Sequence, residues 1–314
     1  MPLNPSVTVQ IVTYNSANDI AECLDGVRLQ TYPIQEIIVI DNASTDGTVE
    51  RVRAYIEQTR ANNIHLVTNA TNTGFAPAHN QGICMTQSDY VLVLNPDVQL
   101  GTEYVERLVG IMEQRPEVGS ATGLLILKSS PDVVDSTGIV MNGIWRAFDR
   151  GAGGSASQWR ESGEVFGVSG AAAMYRRAMI DELSIDGEFF DADFFAYKED
   201  VDVAWRANLL GWKAYYCAEA IATHERGWKK GSRHTQPLFI RRYSYINRYK
   251  MIYKNLSGAR WMKHLPKLLA YELASNGYML LREPKVLGAW KDFFDKMPEL
   301  KKKRREIQRR RLME

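Results

Sequence analysis

The chain has 314 residues, of which 45% are apolar and 24% charged, and its formal net charge is +2. This composition is ordinary for a globular protein and excludes a disordered, collagen-like or coiled-coil chain, and the length predicts about two domains. The small net charge hides a division, because residues 1–235 carry −11 and residues 236–314 carry +13. We therefore expect an acidic body followed by a basic C-terminal region.

The cysteines and the apolar segments indicate the compartment. Cys23, Cys84 and Cys217 lie far apart and form no CxxC pair. This spacing favours a reducing compartment over secretion. The first four residues do not resemble a signal peptide, and no apolar run reaches the roughly 20 residues of a membrane span. We expect a cytoplasmic protein, soluble or peripheral to a membrane.

Residues 1–115 alternate between strand and helix patterns. Strands are predicted at Val7–Tyr14, Glu36–Asp41, Ile64–Thr68 and Tyr90–Asn95. Helices are predicted at Ala17–Gln30, Asp46–Thr59, Ala76–Thr86 and Gly101–Arg115. Alternation of this kind predicts an α/β fold with a Rossmann-like, mostly parallel sheet flanked by helices.

The pattern loosens in the second half of the chain. Residues 129–165 predict an irregular insert or a pair of short strands. A strand, a helix and a strand follow, at Val165–Arg177, Tyr197–Leu210 and Trp212–Cys217. From about Gln236 the chain is predicted to be mainly helical, and Lys301–Arg311 carries eight basic residues and one acid.

Polar residues follow three of the predicted parallel strands, where such sheets bind ligands. They are Asn15, Asp41 and Asp97. Asp41 can accept a hydrogen bond from a base or a ribose, although its DNASTDGT segment also favours a simple turn. Asp97, in LNPDV, can hold Mg²⁺ or Mn²⁺ together with substrate oxygens, although it could equally cap a helix.

Two later segments carry further candidates. Glu199, Asp200 and Asp202 open a predicted helix, where the helix dipole alone would favour acids. Because aromatic residues precede them, one carboxylate could lie in an apolar cleft and act as a general base. His224 follows a strand, and its imidazole suits Mn²⁺, although a lone histidine is more often exposed or capping.

Other motif classes are absent. The sequence contains no GxxxxGK[ST], GxSxG or HExxH. The glycine-rich Gly151–Ser155 does not follow a buried first strand, as a dinucleotide-binding loop would. These observations exclude P-loop enzymes and disfavour Rossmann dehydrogenases.

Seven motifs, in order, resemble the family 2 glycosyltransferases, which have the GT-A fold. They are IVTYNS (Ile11–Ser16), IIVIDNASTDGT (Ile37–Thr48), NTGFAPAHNQGI (Asn72–Ile83), LNPDV (Leu94–Val98), GAAAMYRR (Gly170–Arg177), FFAYKEDVDVAWR (Phe194–Arg206) and the later His224. The resemblance covers roughly residues 5–230. It implies that residues 1–235 form a nucleotide-sugar-binding catalytic domain that performs an inverting transfer, and that residues 236–314 form a basic helical extension.

The resemblance also implies roles for single residues. The predicted donor-nucleotide residues are Thr13, Tyr14, Asn15, Asp41, Asn42, Asn95 and Asp97. Asp97 takes the place of the metal-binding aspartate of the DxD motif, whose first acidic position here is Asn95. With His224, Asp97 would hold Mn²⁺ or Mg²⁺, and Asp200 matches the catalytic base. The residues expected near the donor sugar and the acceptor are Gly170, Ala171, Glu199, Asp200 and Trp228.

The predicted sugar donor and acceptor rest on similarity to a narrower group of glycosyltransferases. The segment Asp135–Gly154 is similar to one in bacterial rhamnosyltransferases that use dTDP-L-rhamnose. A galactofuranosyl, mannosyl or other hexosyl transferase using a UDP- or GDP-sugar shares much of the same pattern. Acceptors in such families are lipid-linked or are growing surface polysaccharides.

Two other classes of protein are alternatives to a glycosyltransferase. A sugar nucleotidyltransferase typically has a Gly-rich basic loop after its first strand, which Tyr14–Asp19 is not. A non-catalytic adaptor would not need the Asp97, Asp200 and His224 set. For the basic region we expect contact with an anionic membrane at its cytoplasmic face. Nucleic acid is not the expected partner, and a disordered Lys301–Arg311 is the simpler alternative.

Overall fold

The computed structural model describes residues 4–225, 232–256 and 264–311. The strands are β1 (Val7–Thr13), β2 (Glu36–Asp41), β3 (Ile64–Thr68), β4 (Tyr90–Leu94), β5 (Val98–Leu100), β6 (Val118–Leu127), β7 (Ser130–Ser136), β8 (Ile139–Met141), β9 (Ala147–Asp149), β10 (Gly163–Val165), β11 (Ala172–Arg176) and β12 (Lys213–His224). The helices are α1 (Ile20–Arg28), α2 (Thr48–Thr59), α3 (Phe75–Cys84), α4 (Tyr104–Gln114), α5 (Arg177–Leu183), α6 (Glu199–Leu209), α7 (Leu238–Asn255), α8 (Leu265–Arg282), α9 (Ala289–Asp295) and α10 (Met297–Arg311).

The first half of the chain forms the parallel part of the main sheet. Its strands stand in the order β4-β1-β2-β3, and all three neighbouring pairs are parallel. Strands β2 and β4 are short continuous apolar runs, as expected for a sheet covered by helices on both faces. Strand β1 also buries the polar Thr8 and Gln10. The register pairs Thr13 with Asp41, so the carboxyl ends of β1 and β2 lie side by side. The predicted α/β fold is confirmed here.

The second half makes the sheet mixed. Strand β11 runs antiparallel between β4 and β6, while β6 and β12 are parallel to each other. The sequence analysis did not predict β6, because Gly119, Ser120, Thr122 and Gly123 interrupt its apolar pattern. Only glycine fits at 123, since a Cβ there would lie 1.9 Å from the carbonyl oxygen of Ala220. Strand β12 continues to His224, seven residues beyond the predicted end.

The segment predicted as an insert lies between β6 and β11. It contains β7, which pairs with β6, and the separate hairpin β8–β9. Of the strand predicted over Val165–Arg177, Ala172–Arg176 forms β11, and Val165 is the last residue of β10. The preceding residues 168–171 are buried and include Ser169 and Gly170, which line the cleft described below.

The C-terminal region is helical, as predicted. Helix α7 packs against α6 and α10, and its buried Tyr245 and Ile246 join a cluster with α9 and α10. Within the described ranges, no helix combines the length and the apolar character that crossing a membrane requires. Cys23, Cys84 and Cys217 are all free thiols.

Candidate active site

A cleft of about 1230 Å³ opens beyond the carboxyl end of β4, where the two halves of the sheet meet. Residues far apart in the sequence line it together, and those named by the sequence analysis are Asn95, Asp97, Gly170, Ala171, Glu199, Asp200 and His224. Gln236 and Ser244 of the C-terminal region also line it. The cleft therefore brings the proposed metal ligands and the proposed base to one cavity.

His224 lies between two carboxylates at one side of the cleft. Its Nδ1 is 2.7 Å from Oδ2 of the buried Asp135, and its Nε2 is 3.3 Å from Oδ1 of Asp97. Because a carboxylate only accepts, Nδ1 donates its hydrogen to Asp135. Burial lowers the pKa of His224, but the hydrogen bond to Asp135 and the negative charge of the nearby Asp97 outweigh it and raise the pKa to about 9.

The same corner can accept a cation. Asp97 Oδ1 is buried without a hydrogen-bond partner, and it faces the Nε2 of His224. Asp135 fixes the ring through the opposite nitrogen, which is the usual arrangement behind a metal-binding histidine. Within residues 4–225, 232–256 and 264–311, no cluster of three or more Asp, Glu, His or Cys side chains has metal-binding geometry. The fit is thus to an ion that takes its other oxygens from substrate and water.

Asp200 and Glu199 stand at the first turn of α6 and differ in their contacts. The Oδ1 of Asp200 accepts from the Val201 N–H at 2.7 Å, and its Oδ2 accepts from the Gly170 N–H at 3.3 Å. Burial raises the pKa of Asp200, and the nearby Lys198 acts against this. Glu199 is buried, and its Oε2 has no hydrogen-bond partner. Burial and the charge of Asp200 raise the pKa of Glu199 as well. A carboxylate of raised pKa in a cleft is a candidate proton acceptor.

The loop before α6 has an uncommon backbone. Phe195, Tyr197 and Lys198 have φ of 60°, 71° and 75°, in the left-handed region that side chains rarely adopt. The buried Asn247 of α7 restrains this loop, because its Nδ2 lies 2.8, 3.0 and 2.9 Å from the carbonyl oxygens of Phe194, Ala196 and Tyr197. Strained conformations of this kind persist only where the surroundings hold them.

A buried ionic network anchors α7 beneath the same loop. Lys254 Nζ bonds to Asp191, and it lies 3.0 Å from Oδ2 of Asp202. Arg206 contacts the same Oδ2 at 2.9 Å, and Asn255 donates to the Oδ1 at 2.8 Å. Burial would raise the pKa of Asp191, but the charges of Lys254 and Lys303 hold it well below its ordinary value. The C-terminal cations thus neutralise carboxylates of the body.

The residues predicted to bind the nucleotide lie mostly at the ends of β1 and β2. Both oxygens of Asp41 accept at 2.9 Å, from the Thr13 hydroxyl and from the Ser44 N–H. Asn15 ties the same loop, accepting from the Thr45 N–H at 2.9 Å. Tyr14 is exposed.

Asn42 is buried among protein partners. Its Nδ2 donates to the Gly74 carbonyl, and its Oδ1 accepts from Asn69 and Thr73. Asn42 therefore stabilises the loop around Gly74 in addition to any contact with a ligand. Trp228 lies outside the described residues.

Sequence reasoning missed several residues of the site. The sequence predicts no individual role for Asp135 or Asn247. The side chain of a buried Asn or Asp has no periodic signal, so neither position could have been found without the fold. Lys254 lies in the region for which the sequence predicts a basic character and contact with a membrane, yet it is 1% exposed.

The fold and the cleft define a glycosyltransferase of the GT-A class, and the comparison with known families is specific. The sequence model of "Glycosyl transferase family 2" matches residues 8–184. The chain belongs to this family. The matched region ends before α6 and β12, which carry Asp200 and His224.

Curated relatives are glycosyltransferases of low identity. The poly-beta-1,6-N-acetyl-D-glucosamine synthase of Staphylococcus aureus (strain MSSA476) is 25% identical over 210 residues, which is 67% of this chain and 47% of that protein. The chain thus spans about half the length of that relative. The N-acetylglucosaminyl-diphospho-decaprenol L-rhamnosyltransferase of Mycobacterium tuberculosis is 26% identical over 246 residues, covering 71% of this chain and 77% of that protein.

Solved structures share the fold. The mannosyltransferase PcManGT from Pyrobaculum calidifontis, in complex with GDP-Man and Mn²⁺, superimposes with a TM-score of 0.58 at 20% identity. The superposition covers 92% of this chain and 74% of that one. The likeness of fold therefore extends beyond residues 8–184, the region matched by the family model.

Proposed function

We propose that the enzyme transfers a sugar, with inversion, from a nucleotide-sugar donor to a hydroxyl of its acceptor, using Asp200 as the base. The observation that carries this proposal is the meeting of Asp97, His224 and Asp200 at one cleft. In the reaction, a bond forms from the acceptor oxygen to the anomeric carbon, and the bond from that carbon to the diphosphate breaks. The nucleoside diphosphate leaves with the electron pair.

Asp200 accepts the proton of the acceptor hydroxyl. Its raised pKa brings the carboxylate nearer to the pKa that is effective for a base at neutral pH. The Gly170 and Val201 N–H groups fix its orientation. Glu199, Gly170, Ala171 and Trp228 are our proposed neighbours of the donor sugar and the acceptor.

Asp97 and His224 are the proposed ligands of Mn²⁺ or Mg²⁺. The unpartnered Oδ1 of Asp97 and the Asp135-oriented ring of His224 support this assignment, as does the Mn²⁺ in the PcManGT complex. A bound divalent cation would act as a Lewis acid and stabilise the charge that develops on the diphosphate. Asp135 holds the His224 ring so that Nε2 faces Asp97.

The nucleotide would lie across the ends of β1, β2 and β4. We propose that it contacts Thr13, Tyr14, Asn15, Asp41, Asn42, Asn95 and Asp97. The exposed Tyr14 is free to stack on a base, while Asp41 is held by Thr13 and Ser44 and retains unused lone pairs. In this assignment, the parallel half of the sheet binds the nucleotide and the cleft holds the sugar.

We propose dTDP-L-rhamnose as the donor, with a lipid-linked or polysaccharide acceptor in surface-glycan synthesis. The Mycobacterium tuberculosis L-rhamnosyltransferase supports this choice, because this chain covers 77% of that protein. Residues 1–235 would form the catalytic domain, and residues 236–314 a region that holds the enzyme at the cytoplasmic face of a membrane.

The test is donor hydrolysis and transfer by the purified full chain with Mn²⁺ and a panel of dTDP-, UDP- and GDP-sugars. We expect Asp200→Asn to lower turnover by about 10²- to 10⁴-fold. Asp132→Asn, which changes an exposed aspartate of β7, is the matched control and should remain active. Near-normal turnover by Asp200→Asn would reject Asp200 as the base, and turnover of another donor but not dTDP-L-rhamnose would reject the donor assignment.

A further inference from the structure

One helix of the C-terminal region presents an apolar side to solvent. In α8, Leu269, Leu273, Leu280 and Leu281 are 53, 76, 63 and 81% exposed. They lie along one side of the helix, because the helix repeats every 3.6 residues. We call these four residues the leucine face. An exposed apolar surface of this kind marks an interaction site.

The charges around the leucine face identify the partner. The one acid of α8, Glu272, points inward, where it accepts from Arg248 and Tyr249 at 2.6 Å each. The exposed Lys267 and Arg282 stand at the two ends of the helix. The exposed side of α8 is therefore apolar, free of acids and flanked by cations. A helix of this pattern lies in the interface of a membrane that contains anionic lipids.

A second copy of the chain fits the leucine face less well. Antiparallel contact of two α8 helices would place Lys267 of one copy near Arg282 of the other. Parallel contact would place each cation near its own equivalent. Both arrangements bring like charges together, which is unfavourable, whereas anionic headgroups neutralise both ends.

The inner side of α8 connects the leucine face to the cleft. Tyr271 lies under the guanidinium of Arg146, 5.0 Å from it, and His264 meets Trp145 edge-on. Both partners belong to the turn of the β8–β9 hairpin, whose residues 147–149 line the cleft. A bilayer against α8 would thus lie close to the cleft.

We propose that α8 docks on an anionic phospholipid bilayer through its leucine face, and so presents the cleft to lipid-linked acceptors. The second part rests on the proposed function. The basic helix α10 is the less suitable docking element, because none of its large apolar residues is exposed and its Lys302 and Lys303 already contact Asp186 and Asp191.

Vesicle sedimentation of the full chain tests the proposal. Phosphatidylcholine vesicles with about 30% phosphatidylglycerol should bind the protein, and pure phosphatidylcholine should bind it more weakly. Leu273→Glu with Leu281→Glu should weaken binding at least about tenfold. Leu273→Ser with Leu281→Ser should weaken it as well, without a change of charge. Lys301→Glu on α10 changes the net charge as much as the glutamate pair, and it should bind nearly normally.

Three results would overturn the proposal. They are unchanged binding by both leucine variants, equal loss with Lys301→Glu, and a native dimer that the leucine variants convert to monomers. Donor hydrolysis without vesicles separates this proposal from the proposed function. The leucine variants should retain it, which also shows that they fold. If the native protein bound vesicles but hydrolysed no donor, the proposed function would fail and the docking surface would stand.

Discussion

Helices α7 and α8 have the same length, 18 residues, but the protein uses them in opposite ways. Helix α7 contains five basic residues and no acid, yet its Asn247, Lys250, Lys254 and Asn255 are buried. Helix α8 contains six leucines, yet none of its residues is buried. The more polar helix lies inside the protein, and the more apolar helix lies at its surface.

The difference shows what controls burial in this region. The body encloses carboxylates, such as Asp191 and Asp202, which are costly to bury unless they are paired. The cations and amides of α7 pair them and restrain the loop that leads to Asp200. The four residues of the leucine face are exposed and find no comparable partner in the described part of the chain, so they stay available for a partner outside it.

The largest effect on stability is expected for Lys254→Met. The variant leaves Asp191 and Asp202 buried with one cation fewer, so the free energy of unfolding should fall by about 3–5 kcal/mol. Chemical denaturation measures this change. Leu273→Ser on α8 should stay within about 0.5 kcal/mol of the native protein. Equal stability of the two variants would contradict the contrast between the helices.

Asp135→Asn extends the comparison of α7 and α8 to a buried pair that involves neither helix, because Asp135 pairs with His224 within the body of the protein. The amide weakens the hold on the His224 ring, so the Mn²⁺ concentration for half-maximal turnover should rise about 10- to 100-fold. A metal titration of activity measures it. Asp132→Asn, on the same strand and exposed, is the control. An unchanged titration would argue against His224 as a metal ligand.

Asn247→Ala tests the restraint that α7 places on the loop before α6. Without the Nδ2 contacts to the three carbonyl oxygens, Asp200 should be held less well, and kcat should fall roughly tenfold with a smaller change in KM for the donor. Asn276→Ala on α8 removes a similar amide that contacts Tyr245 and Glu272, but it should leave kcat nearly unchanged. A normal kcat for a folded Asn247→Ala protein would show that α7 does not position the base.

The smallest effect is expected for Lys198→Met, as a shift in pH dependence. The charge of Lys198 lowers the pKa of Asp200, so its removal should raise that pKa further. Because the base must be ionised, the acid limb of the pH–rate profile should move to higher pH. Lys301→Met, an exposed change on α10, should not move it. A shift to lower pH would have the wrong sign for Asp200 as the base.

Much of the first half of the fold could be predicted from local patterns. Strands β1–β4 are short segments rich in β-branched and apolar residues, and their bounds differ from the predictions by at most one residue. Strand β6 was missed, because its buried Ser120 and Thr122 are polar and its glycines serve close backbone contacts. Asp97, Asp200 and His224 were chosen from motifs, and the structure brings them to one cleft.

The sequence gives the net charges of the two regions, −11 for residues 1–235 and +13 for residues 236–314. Only the fold shows which of these charges are buried in ion pairs and which are exposed. By itself, the sequence determined the strand–helix alternation, the family and the candidate carboxylates. Each of these depends on the order and spacing of residues within short segments of the chain. Only the tertiary structure decided which polar side chains face each other. Asp135 reaches His224 across 89 positions, and Lys254 reaches Asp202 across 52. Such pairs are fixed by long-range packing, which leaves no periodic trace in the chain.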